Sequence, residues 1–320
     1  MRAPALTTRS SSATRSGFTL IELLVVIAII AILSALSAAA VQKVRRVGQR
    51  VAVVDDLNKL DMSCSKFKTD FGTNVPQRFR FPSTVPDPSI AAPTAAQIQE
   101  AEGYRFLRGM FRGWPANTTA GVAIPDIFFN PLRDGTFLPA DKVNGQLIDG
   151  SQCLVFFLGG PRGLGFTNNG PNDPGTNTSK KGPYFEFAAG RIDIDATPRA
   201  VAADGFAYRY GFKDTYGTPY AFFSAGSSEV YSTTAWVGPT ILNVGATGSL
   251  SPFQTTTIGS VPAKFVNPGR IQIISAGYDR KYGAGGYWVP GTGTYIVDLN
   301  QGGDDIGNFN NGIVLGTTGG

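Results

Sequence analysis

Apolar side chains run almost unbroken from Phe18 to Val41, 24 positions in which Glu22 is the sole ionisable residue. At about 1.5 Å rise per residue, a helix of that length crosses a hydrocarbon core of roughly 30 Å. Beyond it the pattern becomes periodic. Val44, Val47, Val51, Val54, Leu57, Leu60, Cys64, Phe67 and Phe71 recur at spacings of three and four, and Arg45, Arg46, Gln49, Arg50, Asp55, Asp56, Lys59 and Lys66 fill most of the remainder. That spacing predicts one amphipathic face on a helix that continues to Phe71. Gly72 is placed to end it, and Pro76 forbids its continuation. The segments implied are a membrane helix over 18–41, its continuation with an exit loop over 42–75, and a globular body over 76–320.

The body is patterned less regularly. Pro82, Pro86, Pro88 and Pro93 mark an irregular link, Ala95 to Arg112 reads as a helix, and 126–150 reads as loop. Leu154-Val155-Phe156-Phe157-Leu158 is expected to be a short buried strand, followed by a tight glycine loop over 159–165. The glycine spacing there fits no phosphate-binding motif. A surface loop is expected over 168–183. Arg191 to Asp195 alternates as a strand does, which puts Asp193 and Asp195 on one solvated face. The C-terminal third reads as β-structure punctuated by glycine turns.

Glu22 is the anomaly in the apolar run, because a carboxylate at membrane depth is costly unless something neutralises it. Three readings compete. A secretory signal cut near Ala38-Ala39-Ala40 fits the small residues there, but its apolar core would be too long. A plain signal anchor explains the length and leaves the glutamate unexplained. A cut between Gly17 and Phe18 would free an α-amino group four residues from Glu22, cationic at neutral pH and able to pair with it.

Gly17-Phe18-Thr19-Leu20-Ile21-Glu22 ahead of an apolar helix resembles the leader junction of type IV pilins and type II secretion pseudopilins. The resemblance implies a leader over 1–17, cleavage after Gly17 by the prepilin peptidase, N-methylation of Phe18, and Glu22 as the assembly carboxylate. Ala39 stands where many members have a helix-kinking proline. The implied fold is α+β and pilin-like, a long N-terminal helix packed on an antiparallel sheet, with a large insertion at about 79–212. The implied role is structural, a non-enzymatic subunit that polymerises into a type II secretion pseudopilus. Its partners would be other copies and related pseudopilins, the prepilin peptidase, the inner-membrane assembly platform, and membrane lipid before assembly. It would sit as a single-pass protein of the inner membrane, with its globular part in the periplasm. The alternatives are a type IV pilus subunit, or a membrane-tethered enzyme or carbohydrate-binding domain on a pilin-type anchor.

Composition narrows the chemistry. Forty glycines and 21 prolines beside 42% hydrophobic residues describe a loop-rich folded body. The formal charge is +5, but the leader holds three arginines and no acids, so +2 remains from Phe18 onward, and nucleic acid is not an expected partner. Histidine is absent, which removes the usual general base and the commonest metal ligand. Cys64 and Cys153 are the two cysteines, compatible either with one disulfide or with two buried thiols.

Two further stretches extend the resemblance. Asp214-Thr215-Tyr216-Gly217-Thr218-Pro219-Tyr220 is similar to a hairpin segment of pseudopilins. Ile271 to Asp279, taken with Gly302 to Phe309, resembles the strand and loop with which the major pseudopilin holds calcium. The resemblance implies Asp279 and Asp305 as Ca²⁺ ligands, with Asp304 beside them and the Ala276 carbonyl as a further donor. An insert around Tyr287-Trp288-Val289-Pro290 separates these acids more widely than in compact members.

Overall fold

The computed structural model describes residues 18–131, 141–168, 170–171, 179–194, 210–225, 231, 250–255, 264–283, 285–289, 293–296 and 303–309. Two compact units are separated in sequence between Gly48 and Gln49. Helix α1, Leu20–Phe71, contributes to both. Its first turn is closed by the Leu23 amide donating to the Thr19 carbonyl at 3.2 Å. Its last turn ends where Gly72, at φ 73°, donates to the Lys68 carbonyl at 2.8 Å. A side chain at that left-handed position would be strained, so glycine is the natural stop.

In the first unit the apolar side chains of α1 are exposed, among them Leu20, Ile27 and Leu36. In the second unit α1 buries Val53, Leu57, Leu60, Cys64 and Phe67, one face at spacings of four, three, four and three. Each fully buried Leu or Phe contributes roughly 1.5–3 kcal/mol. Of the expected stripe, Leu57, Leu60, Cys64 and Phe67 enter the core, Val54 and Phe71 are partly buried against it, and Val44, Val47 and Val51 remain exposed; Val53, outside that stripe, is buried.

The rest of the second unit is built from short antiparallel pieces around this face. Strand β1, Arg78–Arg80, pairs with β2, Leu147–Asp149, placing Phe79 opposite Ile148. Helix α2, Ala95–Met110, begins at a capping box in which Thr94 and Gln97 exchange hydrogen bonds. Its Gly103 lies against the Arg80 carbonyl. Helix α3, Ser151–Gly159, is buried at all nine positions. Strands β3, Phe166–Thr167, and β4, Lys180–Lys181, form a second pair. A 3₁₀ turn, Ala189–Arg191, leads into β5, Ile192–Ile194, which pairs with β6, Tyr210–Phe212.

A three-stranded sheet carries the C-terminal third. Strand β8, Ile271–Ser275, is central, flanked by β7, Ala221–Ser224, and by β11, Ile306–Gly307. All residues of β7 and β8 are buried, and alternate side chains serve two different clusters. Phe222, Ile271 and Ile273 join the main core, and Ala221, Phe223 and Ile274 join a second one with Tyr231, Phe253 and Tyr282. The insert noted around Tyr287 is a hairpin of β9, Gly286–Val289, and β10, Gly293–Ile296.

The α+β architecture with a long N-terminal helix is thus the one expected, although its antiparallel partner is several small sheets. The expected strand at Leu154–Leu158 is instead the middle of α3. A run apolar on every side carries no periodicity, so a buried helix and a buried strand look alike in sequence. Glycines bound it, Gly150 at φ 50° and Gly160 at φ 82°. The helix supplies Phe156 and Phe157, whose rings meet Phe81 at 4.8 Å and Phe67 at 5.9 Å. The region 79–212 therefore shares one core with α1. The expected helix from Ala95 and the strand at Ile192 are present. The Asp193 side chain, Asp195, and half of the expected loop at 168–183 lie outside the described residues.

Candidate functional site

The N-terminal junction is built by a reciprocal hydrogen-bond box. The Thr19 amide and hydroxyl both donate to Glu22 Oε2, at 2.9 and 2.8 Å, and the Glu22 amide donates to Thr19 Oγ1 at 3.3 Å. This satisfies amides that the start of a helix otherwise leaves without partners. Glu22 thus has a partner within its own chain, where the sequence reading had looked only to a new α-amino group. Thr19 was missed there, although the T-x-x-E spacing is the signal for this box. Phe18 is 75% exposed immediately before it. Gly17 lies outside the described residues. From Leu20 onward α1 is long and apolar enough to cross a membrane.

The acidic loop sits at the other end of the sequence. The Asp279 amide donates to Asp304 Oδ2 at 2.9 Å, and Asp279 Oδ1 accepts from the Lys281 amide at 2.7 Å. Asp305 is fully buried; its Oδ2 accepts from the Gly283 amide at 3.1 Å, and its Oδ1 has no hydrogen-bond partner among the described residues. Burial, followed by the neighbouring charges of Asp304, Asp279 and Asp214, holds the Asp305 carboxyl well above the usual range despite the Gly283 bond. Gly277, at φ 66°, brings the chain so close to the Asp304 carbonyl that a Cβ there would overlap it.

The donors are hard oxygens, the kind Ca²⁺ takes in sets of six to eight. They are nevertheless aimed at separate backbone amides, and among the described residues no three acidic, histidine or cysteine side chains form a group able to hold a metal. Asp279, Asp304 and Asp305 are neighbours, and among the described residues they do not assemble the calcium cage that the resemblance implies.

The prokaryotic N-terminal methylation motif matches residues 13–38. Over 159 residues the chain is 31% identical to type II secretion system protein J of Escherichia coli, an alignment covering 43% of this chain and 80% of that relative. The chain belongs to the pseudopilin and type IV pilin family. No solved structure matches it. As a member of that family it is a membrane-anchored, single-pass protein, its anchor the apolar part of α1.

In this pilin-type chain, polar side chains on α1 hold the body to the helix. Asp56 Oδ2 receives Arg191 at 2.6 Å and the Tyr220 hydroxyl at 3.0 Å. Asp61 receives Arg270 and Asn308, both at 2.9 Å. Asp70 receives the Tyr184 hydroxyl at 2.8 Å. In the sequence pattern Asp56 falls in the polar remainder of the helix and Asp61 carries no signal of its own. Spacing along one helix gives no sign of partners more than a hundred residues away.

Asp214 does similar work inside the body. It accepts from the Tyr216 and Thr218 amides at 2.9 and 3.0 Å and from the Ser275 hydroxyl at 2.6 Å, tying the turn before β7 to β8.

Cys64 and Cys153 are both buried and both free. The possible disulfide is therefore not formed. Cys64 belongs to the apolar face of α1 and Cys153 to α3, and burial pushes both thiols up in pKa, away from the reactive thiolate.

Proposed function

We propose that this chain is a structural subunit of a type II secretion pseudopilus, cut by prepilin peptidase between Gly17 and Phe18 and N-methylated on Phe18. The observation that carries the reading is the methylation motif over 13–38, which contains the capped Glu22 and most of the exposed apolar helix. Before assembly the helix is stored in the inner membrane with the globular body in the periplasm. On assembly, lateral packing with other copies and related pseudopilins takes the apolar helix out of lipid, driven by the secretion assembly platform. The likeness to a secretion protein favours the secretion machinery over a type IV pilus.

Glu22 has two tasks in this scheme. In the stored subunit the Thr19 bonds pre-organise the carboxylate, and they all fall on Oε2. Oε1 then meets the α-amino group of Phe18 on a neighbouring copy. A charge pair in a low-dielectric setting specifies stagger more than it adds stability, because desolvation opposes the attraction. The role is structural and not catalytic.

The mass and N-terminal sequence of the mature protein test the processing step, with methylated Phe18 expected. A mature chain starting at Val41 would establish the secretory-signal reading and end the filament proposal. Glu22→Ala should leave the protein in the membrane and abolish filaments. Normal filaments from that variant would remove the assembly role of Glu22.

A further inference from the structure

Among the described residues of the second unit, five large apolar side chains are exposed, and four of them fall into two patches. Val51 and Met62, 62% and 72% exposed, lie on the outward face of α1. With Asp55, Lys59 and Lys66 they form one stripe at spacings of four, four, three and four. Ile90 and Ile98, 41% and 47% exposed, belong to a groove of about 590 Å³ walled by the proline-rich link and α2. Val85 and Ala101 line it with them. Exposed apolar residues scattered singly are ordinary on a protein surface. Here one patch is the convex face of a helix, the other is concave, and both carry charge.

The charges are complementary. The ionisable residues of the groove are Asp87, Glu100 and Arg105, a balance of −1. Asp55, Lys59 and Lys66 give the helix stripe a balance of +1. In the groove, Glu100 Oε2 accepts from the Ser83 amide and hydroxyl, and Asp87 Oδ1 accepts from those of Ser89 at 2.9 and 2.7 Å. Asp87 Oδ2 has no partner among the described residues. On the stripe, Lys59 is paired with Asp55 at 2.6 Å. Lys66 has only the Tyr184 ring among the described residues, its Nζ 6.0 Å from the ring centroid. It is the cation available to a carboxylate of another molecule.

We infer that the groove receives the Val51–Lys66 face of α1 from a second copy of this chain, with Met62 packed against Ile90 and Ile98 and Lys66 meeting Asp87. This is an amphipathic helix laid into an apolar groove, its charged neighbours setting the register. Stripe and groove are different surfaces of one chain, so the contact is head-to-tail. Each copy then offers a free groove at one side and a free stripe at the other, and such a contact propagates into an open filament when its rotation does not close a ring. The inference rests on the filament reading above and names one contact of the globular bodies within it.

The experiment uses the full chain in intact cells that produce the secretion machinery, with Asn58→Cys on the stripe, Thr84→Cys in the groove wall and a short bis-maleimide as the probe. Both positions are exposed and leave Met62, Ile90 and Ile98 in place, while the native Cys64 and Cys153 are buried, so the new thiols alone should react. A chain carrying both substitutions should give a ladder of dimers, trimers and longer products. The two single variants expressed together should stop at the dimer, and either one alone should stay monomeric. Adding Asp87→Lys to the doubly substituted chain should lower the yield by up to about fivefold, the upper end for an exposed ion pair, and adding Lys66→Asp as well should restore it. Failure of that restoration overturns the pairing of Lys66 with Asp87. Filaments without cross-linked products overturn the docking alone. Absence of both filaments and products removes the filament reading and the docking with it. A dimer from one single variant shows a two-fold self-contact, and products holding a different protein show another occupant; either result overturns the proposal.

Discussion

Arg191 and Asp56 stand 135 positions apart in the chain and meet at 2.6 Å. The guanidinium also donates to the Lys213 carbonyl from Nε and Nη2, at 2.9 and 2.7 Å, and lies 4.4 Å from the centre of the Phe212 ring. One planar cation thus joins α1, the 3₁₀ turn and β6. Replacing it by Met leaves Asp56 with the Tyr220 hydroxyl as its remaining partner among those described for Oδ2. The side chains keep 27% and 13% of their exposure, so the loss should fall short of that for a fully buried pair, at about 1–3 kcal/mol. Arg191→Lys should recover little of it, because an ammonium cannot serve the carboxylate, the carbonyl and the ring together. Thermal melting of the full chain in detergent checks both.

Gly103 fits against the carbonyl of Arg80, and a Cβ there would overlap that oxygen. On an open helix face Gly→Ala stabilises by roughly 0.5–1 kcal/mol. Gly109, with open space around its Cβ position, should show that gain. Gly103→Ala should lower the melting temperature instead, since α2 must move off β1 to admit the methyl group. The two variants measured side by side separate packing from helix propensity.

The buried Asp305 carboxyl is raised in pKa, so folding favours its protonated form. Its contribution to stability is fully present below the ordinary aspartate value of 3.8 and is lost as pH rises through the higher folded value. Asp305→Asn should therefore raise stability at neutral pH and flatten the decline between acid and neutral conditions. Melting curves from pH 4 to pH 8 test this. The same profile is expected with and without calcium, because among the described residues no three acidic, histidine or cysteine side chains form a group able to hold a metal.

Cys64 and Cys153 should both resist alkylation in the native protein and both react in denaturant without added reductant. Intact mass after iodoacetamide treatment distinguishes this from a disulfide, which would block both thiols until reduction. Their burial in α1 and α3 predicts that the two become reactive together with global unfolding.

Sequence legibility followed locality. α1 announces itself because one face repeats over many turns, and α2 because its pattern is amphipathic and its start is capped by Thr94. α3 was hidden by its own burial, since residues with no polar side show no period. At the junction, Glu22 was legible as an anomaly, while its Thr19 partner needed the capping geometry to be considered. The acids of the C-terminal loop were found by resemblance, but the amides of Lys281 and Gly283 that hold two of them belong to backbone conformation. Asp61 shows the limit most plainly. Both of its described partners lie more than two hundred positions away.

That separation governs the order of folding. Asn308 reaches Asp61 across 247 positions, and β11 is the strand that covers one side of β8. Contacts so distant in sequence delay folding more than they weaken the final state, because loop-closure entropy rises only logarithmically with length. While residues 303–309 have yet to arrive, β8 offers an open row of backbone donors and acceptors. The body of this subunit therefore passes through its vulnerable stage late, after nearly all of the described chain has been made, and β11 acts as the closing stitch.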